Sequence, residues 1–292
     1  MLSGKKIAVI IVNYNGKKYL KECLDSLRIQ TYKYYGIILV DNGSVDGSVN
    51  FIKKYYPEVI LMLNKKNEGF SKANNVALKY CLNNGFDYFV LLNQDTVVQS
   101  NFLSEGINML NNYADICCPK ILYYDSKKIW YAGSPVFDNF SDFLKKNILS
   151  VIVDKNVGKD DGPEFNEKKE VGFASGCAFF LRKDILENIG FLDENFFFNW
   201  ETRDYSKRAR DKGYRVMYFP ETVVLHNTKP IKDSKEVIKK FFFSKTGYWM
   251  VSGLLKYMKK HFGLSRTVLY VLKAPIEIPL TLFVYLKKIK KR

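Results

Sequence analysis

The sequence predicts an α/β fold with a mainly helical, basic C-terminal extension. Apolar segments of strand length alternate with amphipathic segments of helix length, the connections between them are short, and basic residues are concentrated after residue 228. This alternation favours a parallel sheet covered by helices on both faces. With 292 residues, of which 47% are hydrophobic, the chain can form one main domain with a sizeable core and a smaller appendage.

The first elements follow this alternating order. An apolar strand over Ile7–Val12 precedes an amphipathic helix over 17–29, and the apolar run that ends at Val40 is the second strand. One face of the helix carries four apolar residues, which are Leu20, Cys23, Leu24 and Leu27. We expect this face to pack on the sheet.

Four further elements are predicted before residue 93. After a polar loop we expect a helix over 47–56 and a strand over Val59–Leu63. Ser71 is the expected N-cap of the next helix, which ends at Asn83-Asn84-Gly85, and a strand over Tyr88–Leu92 follows. These elements continue the βα alternation.

The chain divides into a main domain over residues 1–228 and an extension over 229–292. Within the main domain, residues 125–170 are polar and poorly periodic, so we expect an irregular excursion over the catalytic face. The extension contains sixteen basic and three acidic residues, a net charge of +13, whereas the first 228 residues carry only +3. This asymmetry predicts a membrane surface as partner and argues against nucleic acid, because no recognition motif accompanies the basic charge.

The end of the extension is apolar but interrupted. Its last 25 residues contain Lys273, Pro275, Glu277 and Pro279 within the length that a transmembrane helix would need. We therefore expect interfacial binding, in which the Lys287–Arg292 cluster attracts anionic lipids by about 1 kcal/mol per basic residue. Phe241–Phe243 and Trp249 would then lie at the interface. The alternative is an amphipathic helical tail packed on the main domain.

Cysteine usage and the N-terminal sequence indicate the compartment. The five cysteines show no spacing typical of a zinc site, so we expect buried thiols without disulfides, in a reducing environment. The apolar run Ile7–Val12 is about half the minimum length of a signal-peptide core, which favours a strand. These observations predict a cytoplasmic domain that is peripheral on the cytoplasmic face of the membrane.

Three predicted strands end in polar residues: Asn13-Tyr14-Asn15, Asp41-Asn42-Gly43 and Asn93-Gln94-Asp95. The carboxyl ends of strands in α/β sheets are where ligands bind. A carboxylate at Asp95 can bind a hard cation that neutralises a diphosphate, although an Asp there can also cap the next helix. Asp41 can accept hydrogen bonds from a nucleobase or a ribose, although turn formation also explains it. The chain lacks the G-x-G-x-x-G and P-loop motifs, so the ligand must be held in another way.

Two acids stand at the start of a predicted helix over 204–212. Glu201 and Asp204 are spaced i, i+3 and so lie on one helix face, where the helix dipole favours their ionised form. An ionised carboxylate can act as a general base, although acids at helix starts are also common caps.

Five segments carry a resemblance to a known family. They are NYNG at 13–16, VDNGSVDGS at 40–48, NEGFSKANN at 67–75, LLNQD at 91–95 and GCAFFLRKDILENIGFLDENFF at 176–197. Together they resemble a family 2 glycosyltransferase of the rhamnosyltransferase-like and galactofuranosyltransferase-like branch. The resemblance implies a GT-A fold, which is a Rossmann-like nucleotide-sugar-binding domain. It also implies a nucleotide-diphosphate sugar donor, a divalent metal ion (Mg²⁺ or Mn²⁺) and inversion at the anomeric carbon.

The resemblance also implies roles for individual residues. Tyr14 and Asp41 would face the base and the ribose of the donor. Three further residues would line the donor pocket: Asn67, Gly69 and Asn74. Asp95 would be the last acid of the metal-binding motif, and His226, at the end of the strand VMYFPETVVLH, would lie near the metal and the diphosphate.

The sequence departs from the family pattern at two positions. Asn93 replaces a further acid of many relatives, so the metal would be held mainly by Asp95, the diphosphate and His226. Thr202 occupies the usual place of the catalytic base, and a threonine hydroxyl cannot act as a base near neutral pH. Either Glu201 or Asp204 has taken this role, with Glu201 slightly favoured because it is longer and adjacent, or the transfer is weakened or lost.

Two functions remain open at this point. The first is an inverting transfer of a sugar to a hydroxyl of a lipid-linked or cell-surface glycan. The second is a catalytically silent homologue that binds a nucleotide sugar or a glycan, which Thr202 motivates.

Overall fold

The computed structural model describes residues 4–136, 139–144, 155–229 and 244–272. Ten strands are found in these ranges: β1 Ile7–Asn13, β2 Tyr35–Asp41, β3 Ile60–Leu63, β4 Tyr88–Asn93, β5 Thr96–Val98, β6 Ile116–Tyr123, β7 Ile129–Tyr131, β8 Lys169–Glu170, β9 Ala178–Arg182 and β10 Val216–His226. The α-helices are α1 Lys17–Arg28, α2 Ser48–Tyr55, α3 Phe70–Asn83, α4 Phe102–Asn112, α5 Phe140–Leu144, α6 Lys183–Ile189, α7 Glu201–Asp211 and α8 Lys245–Phe262. A 3₁₀ turn lies at Pro163–Phe165, and residues 264–272 are also helical.

The first four strands are parallel, as the sequence predicts. β1 lies between β2 and β4, and β3 pairs with the outer side of β2. Val12 pairs with both Val40 and Asn93, so the three strands end at the same level. Helices cover the sheet, and the interior of β1 is fully buried, which explains its continuous apolar sequence.

The second half of the sheet is mixed, and here the prediction of a parallel sheet is wrong. The strand order is β3-β2-β1-β4-β9-β6-β10-β5, and β9 is antiparallel to both of its neighbours. The chain enters β9 from the excursion, at the edge where β4 ends, so it must run back across the sheet. As a result the Asn93 N–H donates to the Cys177 carbonyl (3.0 Å), which brings the loop before β9 to the carboxyl edge.

Two local predictions need correction. Helix α3 begins at Phe70 with Gly69 as its N-cap, and Ser71 is not the cap because its hydroxyl donates to the Phe196 carbonyl (2.8 Å). The described part of the excursion 125–170 is also more regular than expected. There β7 pairs with β6 and β8 pairs with β10, while residues 137–138 and 145–154 lie outside the described residues.

Helix α8 of the extension packs on the main domain. Its apolar face forms a small second core with Phe196 and Trp200 of the segment before α7; the members from α8 are Leu254, Tyr257, Met258 and Phe262. The Trp200 Nε1–H donates to the Met250 carbonyl (2.9 Å). At Gly253 an added Cβ would lie 2.6 Å from Trp200 Cδ1, so only glycine permits this close approach. For α8, the structure therefore agrees with the alternative prediction, which is an amphipathic helix packed on the main domain.

Other features of the extension fall outside the described ranges. These are Phe241–Phe243, the interrupted segment after residue 272 and the Lys287–Arg292 cluster. Among the helices that the structure describes, none combines the length and the apolarity needed to cross a bilayer. All five cysteines are buried and unpaired, as expected.

Candidate active site

The ends of β1 and β2 form the first part of the site. The buried Asn13 donates from Nδ2 to Asp41 Oδ2 (2.7 Å), and the Ser44 N–H donates to Asp41 Oδ1 (2.8 Å). Each carboxylate oxygen keeps a further lone pair, because an ionised carboxylate offers about four acceptor positions. Asp41 is therefore held in one orientation and can still accept a hydrogen bond from a ligand.

Tyr14 directly follows Asn13, and its ring is exposed to solvent. Its backbone is fixed from β4, because its N–H donates to Gln94 Oε1 (2.8 Å) and its carbonyl accepts from Gln94 Nε2 (3.3 Å). The side chain is 46% exposed. A fixed backbone with an exposed ring is suited to stacking on a planar ligand.

The predicted pocket residues Asn67 and Gly69 lie in a tightly bonded loop. Asn67 Oδ1 accepts from the Gly69 N–H (3.0 Å) and from Asn42 Nδ2 (3.0 Å). Gly69 has φ +86°, and an added Cβ would lie 2.7 Å from the Phe197 carbonyl oxygen. Asn74 is buried within α3, where its Nδ2 donates to the Phe70 carbonyl (2.9 Å). The contacts seen for Asn67, Gly69 and Asn74 shape the loop and the start of α3.

Asp95 and His226 meet at the same edge. His226 Nε2 lies 3.2 Å from Asp95 Oδ1, and the Asn227 N–H donates to the Asp95 carbonyl (2.7 Å). Trp130 approaches the imidazole edge-on, with ring centroids 4.6 Å apart. Asp95 does not cap a helix, since α4 begins only at Phe102. The pair combines a partly exposed carboxylate with an imidazole, two kinds of side chain that can bind a divalent metal ion.

A test of the metal site comes from the hydrogen bonds of His226. Its Nδ1 is buried and has no hydrogen-bond partner among the described residues. A ligating histidine usually donates from its second ring nitrogen to a partner, which fixes the ring. Here Trp130 packing fixes the ring instead. In the part of the chain that the structure describes, no cluster of three or more His, Cys, Asp or Glu side chains is found, so Asp95 and His226 stand there as a pair.

Glu201 is the first residue of α7 and is buried. The two residues before it, Asn199 and Trp200, have φ +65° and +75°, a strained conformation that non-glycine residues keep mostly at functional sites. Burial raises the pKa of Glu201 from its ordinary value of 4.5 to about 7, against small opposing effects of backbone hydrogen bonding and Arg203. The predicted preference for the ionised form is therefore wrong for Glu201, because desolvation outweighs the helix dipole.

Asp204, one turn later, has the opposite environment. It is fully buried, yet its Oδ1 accepts from His261 Nε2 (2.8 Å) and Lys260 Nζ (2.8 Å), and its Oδ2 accepts from Arg208 Nε (2.8 Å). Burial alone would raise its pKa, but the His261 hydrogen bond and the charges of Arg208 and Lys260 lower it to about 2. All of these donors occupy the carboxylate, which leaves Glu201 as the better candidate base.

Thr202 links this helix start to the rest of the site. An added Cβ at Gly176 would lie 3.1 Å from the Thr202 methyl group and 3.3 Å from the Phe70 ring. The next residue, Cys177, accepts the hydrogen bond from Asn93, two residues before Asp95. The start of α7, the start of α3 and the end of β4 therefore converge at one edge of the sheet.

The sequence profile of Glycosyl transferase family 2 matches residues 8–190. This range contains β1 to β4, the strand-end residues and the Gly176–Cys177 loop. The chain belongs to glycosyltransferase family 2. Helix α7, with Glu201 and Asp204, and His226 lie beyond the matched range.

Curated relatives agree with the family. An uncharacterized glycosyltransferase of Rickettsia prowazekii is 29% identical over 227 residues, which is 75% of this chain and 62% of the relative. The dTDP-rhamnosyl transferase RfbF of Shigella flexneri is 26% identical over 229 residues, 76% of this chain and 69% of the relative. The chain thus spans about three fifths of the length of the rickettsial protein.

Solved structures of glycosyltransferases share the GT-A fold. GalNAc-T7 with UDP, GalNAc and Mn²⁺ has a TM-score of 0.61 at 15% identity, covering 89% of this chain and 55% of that one. TarS 1-349 of S. aureus with UDP has a TM-score of 0.55 at 18% identity, covering 92% and 75%. At these identities the likeness establishes the fold, and the GT-A assignment is confirmed.

The sequence analysis assigned no individual role to three residues of this site. Asn13 orients Asp41, Gln94 fixes Tyr14, and His261 pairs with Asp204. The first two stand at predicted strand ends, where a polar residue after an apolar run is a usable signal. His261 gives no such signal, because it lies 57 residues after its partner in a lysine-rich segment.

Because their pKa values are shifted in opposite directions, Glu201 and Asp204 should affect the pH dependence of stability in opposite ways. Between pH 4.5 and 7 the folded protein keeps a proton on Glu201 that the unfolded chain releases, so stability falls as the pH rises, by roughly 3 kcal/mol in total. The change in the free energy of unfolding caused by Glu201→Gln should therefore be more stabilising at pH 8 than at pH 5. Urea unfolding of the natural chain and of Glu201→Gln at pH 5 and pH 8 measures this difference.

The matched control is Asp204→Asn. The folded-state pKa of Asp204 is lowered, so its ionised form stabilises the fold above about pH 4, and this contribution is lost as the pH falls towards 2. The variant should lose about 2 kcal/mol or more at both pH 5 and pH 8. An effect of Glu201→Gln that is the same at pH 5 and pH 8 would contradict the raised pKa.

Proposed function

We propose that this protein is an inverting glycosyltransferase that moves a sugar from a nucleotide-diphosphate donor to an acceptor hydroxyl, with Glu201 as the general base. The observation that carries the proposal is a buried carboxylate with a pKa of about 7 at the start of α7, next to the Gly176–Cys177 loop that bonds the end of β4. A base is most effective when its pKa lies near the working pH. Membership of family 2 and the GT-A fold support the same function.

The donor is proposed to lie along the carboxyl edge of β1, β2 and β4. Asp41 accepts hydrogen bonds from the base or ribose, and the Tyr14 ring stacks on the nucleoside. The loop that contains Asn67 and Gly69 forms the pocket wall beside α3, whose first turns are fixed from within by Asn74. RfbF is named a dTDP-rhamnosyl transferase, whereas TarS and GalNAc-T7 were solved with UDP, so the nucleotide is best determined by a panel.

Glu201 performs the proton transfer in an inverting displacement. The acceptor oxygen attacks the anomeric carbon as the bond to the diphosphate breaks on the opposite face, and Glu201 takes the proton of the acceptor hydroxyl. One displacement inverts the anomeric configuration. Asp204 cannot take this role without losing its bonds to His261, Lys260 and Arg208.

Asp95 and His226 are the residues that would hold a divalent metal ion. The Asp95 carboxylate and His226 Nε2 face each other at 3.2 Å, and the diphosphate of the donor would complete the ligand set. When bound, Mg²⁺ or Mn²⁺ would neutralise the charge of the leaving diphosphate. Solved relatives of the fold were determined with Mn²⁺, among them a mannosyltransferase of Pyrobaculum calidifontis.

The acceptor is proposed to be a lipid-linked or cell-surface glycan that the enzyme meets on the cytoplasmic face of the membrane. The described part of the extension supports a membrane contact, because several apolar side chains after α8 are exposed: Leu264, Val268, Leu269, Val271 and Leu272. Together with the high basic charge after residue 228, they are suited to an anionic lipid surface. Holding the enzyme there raises its effective concentration near an amphiphilic acceptor.

The second candidate is a catalytically silent homologue that binds nucleotide sugars. Thr202 at the usual base position favours it. The two candidates differ in turnover and share donor binding, so transfer must be measured on its own.

Glu201→Gln should lower kcat by about 10² to 10⁴-fold, the usual range for removal of a general base, with donor affinity unchanged. The measurement is release of nucleotide diphosphate from a panel of UDP-, GDP- and dTDP-sugars with Mn²⁺ or Mg²⁺, with and without a lipid-linked acceptor. Glu187→Gln, an exposed glutamate on α6, is the matched control and should be neutral.

Two outcomes would contradict the first candidate. Full turnover by the Glu201→Gln variant would show that Glu201 is not the general base. If the natural chain binds donor without turnover and Thr202→Asp gains turnover, the site is a retired one and the silent candidate is correct.

His226→Ala and Asp95→Asn should each weaken Mn²⁺-dependent binding of the nucleotide diphosphate by about 10 to 100-fold, as the loss of a ligand or its support does at metal sites. Calorimetric titration with and without Mn²⁺ measures this. Asp25→Asn, which changes a partly exposed acid on α1, is the control. Equal affinity of His226→Ala and the natural chain in Mn²⁺ would remove His226 from the metal site.

Leu269→Glu/Leu272→Glu should reduce co-sedimentation of the full chain with vesicles that contain anionic lipid, because it places charge on the proposed contact surface. The natural chain should bind these vesicles better than zwitterionic ones, and added salt should weaken binding. Ile29→Glu alters an equally exposed apolar residue on another face and serves as control. Binding to DNA that exceeds binding to anionic vesicles would instead favour a nucleic-acid partner.

A further inference from the structure

The carboxylate of Asp204 ties α8 to the first turn of α7. Its side chain is fully buried, and two of its three partners, Lys260 and His261, belong to α8. The third, Arg208, also donates to the carbonyls of Ile189 (3.0 Å) and Phe191 (2.9 Å), which fixes the other side of the turn. A buried charge that loses its partners costs several kcal/mol, so this turn depends on α8 for its observed place.

Helix α8 also holds the residues immediately before Glu201. The Met250 carbonyl accepts from the Trp200 indole, and Gly253 lies directly against that ring. Lys256 Nζ donates to the Asn195 carbonyl (2.7 Å), and Lys260 also bonds Asp193 (2.7 Å). The strained pair Asn199 and Trp200 is thus supported from α8.

The carboxylate of Glu201 is held only in part by hydrogen bonds, since its backbone hydrogen bond comes from Glu201 itself. Its Oε2 is buried and has no hydrogen-bond partner among the residues that the structure describes. Its position is therefore set by the backbone on either side, which means by Trp200 before it and Asp204 after it. A displacement of a reacting group by about 1 Å can cost on the order of 10²-fold in rate.

We infer that His261 and Lys260 are positioning residues of the transfer reaction: through Asp204 they hold the first turn of α7 where it presents Glu201 to the acceptor hydroxyl. This inference rests on the proposed function of Glu201. It assigns to α8, part of the C-terminal extension, a role in completing the active site. Neither residue contacts the reacting atoms in this role.

The experiment compares His261→Ala, His261→Gln and Lys260→Ala in the full chain, with Lys259→Ala as control. Lys259 is the exposed neighbour on the same helix. His261→Ala and Lys260→Ala should lower kcat by about tenfold or more with the donor KM changed less than about twofold. His261→Gln should recover much of kcat, because its amide nitrogen can replace the Nε2 donor. The natural chain and Lys259→Ala should be equal.

A double-mutant cycle tests that the effect passes through Asp204. Asp204→Asn/His261→Ala should lose about as much kcat as Asp204→Asn alone, because both substitutions break the same contact. Additive losses would overturn the inference. So would kcat losses that disappear at temperatures well below the unfolding midpoint, since these would reflect unfolding alone.

Hydrogen exchange gives a readout that does not need activity. Amides of residues 199–205 should exchange faster in His261→Ala than in Lys259→Ala, and unchanged exchange would overturn the inference. If the natural chain shows no transfer while exchange rises as expected, the proposed function fails and α8 still holds the turn. If Glu201→Gln abolishes transfer while His261→Ala keeps full kcat, only the positioning role fails.

Discussion

The common end point of β1, β2 and β4 is the constraint on which the site depends. These strands pair in parallel register, with Val12 opposite both Val40 and Asn93, and their interiors are continuously apolar. The first polar residue after each buried run therefore emerges at the same level. A shift of one residue in this register would turn the side chains of a strand to the opposite face of the sheet. The burial of the strands thus positions Asp41, Tyr14 and Asp95 together.

Much of this half of the protein could be predicted from its sequence, for a physical reason. Apolar runs, amphipathic spacing and polar strand ends are local signals, and they located β1, β2, β4 and α1 within one or two residues. The antiparallel β9 could not be predicted in this way. Its sequence AFFLR is compatible with either strand direction. The direction is set by the edge of the sheet at which the chain returns from the excursion. The Ser71 error has a similar cause, since its hydroxyl is taken by the distant Phe196 carbonyl.

The acidic pair shows where sequence spacing stops being informative. Spacing of i, i+3 correctly places Glu201 and Asp204 on one face of α7, and it says nothing about what that face meets. Asp204 accepts hydrogen bonds from three donors that lower its pKa to about 2, so it is ionised near neutral pH. Glu201 is buried away from water, which raises its pKa to about 7. The assignment of a base between them depends on α8, whose contact with α7 carries no local signal. Tertiary contacts therefore decide the chemistry of residues that are equivalent in sequence.

Thr202 is consistent with Glu201 as the candidate base and Asp204 as a bonded, ionised carboxylate. The family pattern implied by the resemblance places a second acid there, directly after Glu201. In this structure the methyl group of Thr202 packs at Gly176, so the position makes an apolar contact. An added carboxylate there would need its own partner or would repel an ionised Glu201, which would raise the pKa of the pair further. With threonine in place, no second acid adds to the effect of burial, which raises the pKa of Glu201 to about 7 against the smaller opposing effects of backbone hydrogen bonding and Arg203. In the proposed mechanism, the absence of an acid at position 202 and the use of Glu201 as base therefore share one electrostatic cause.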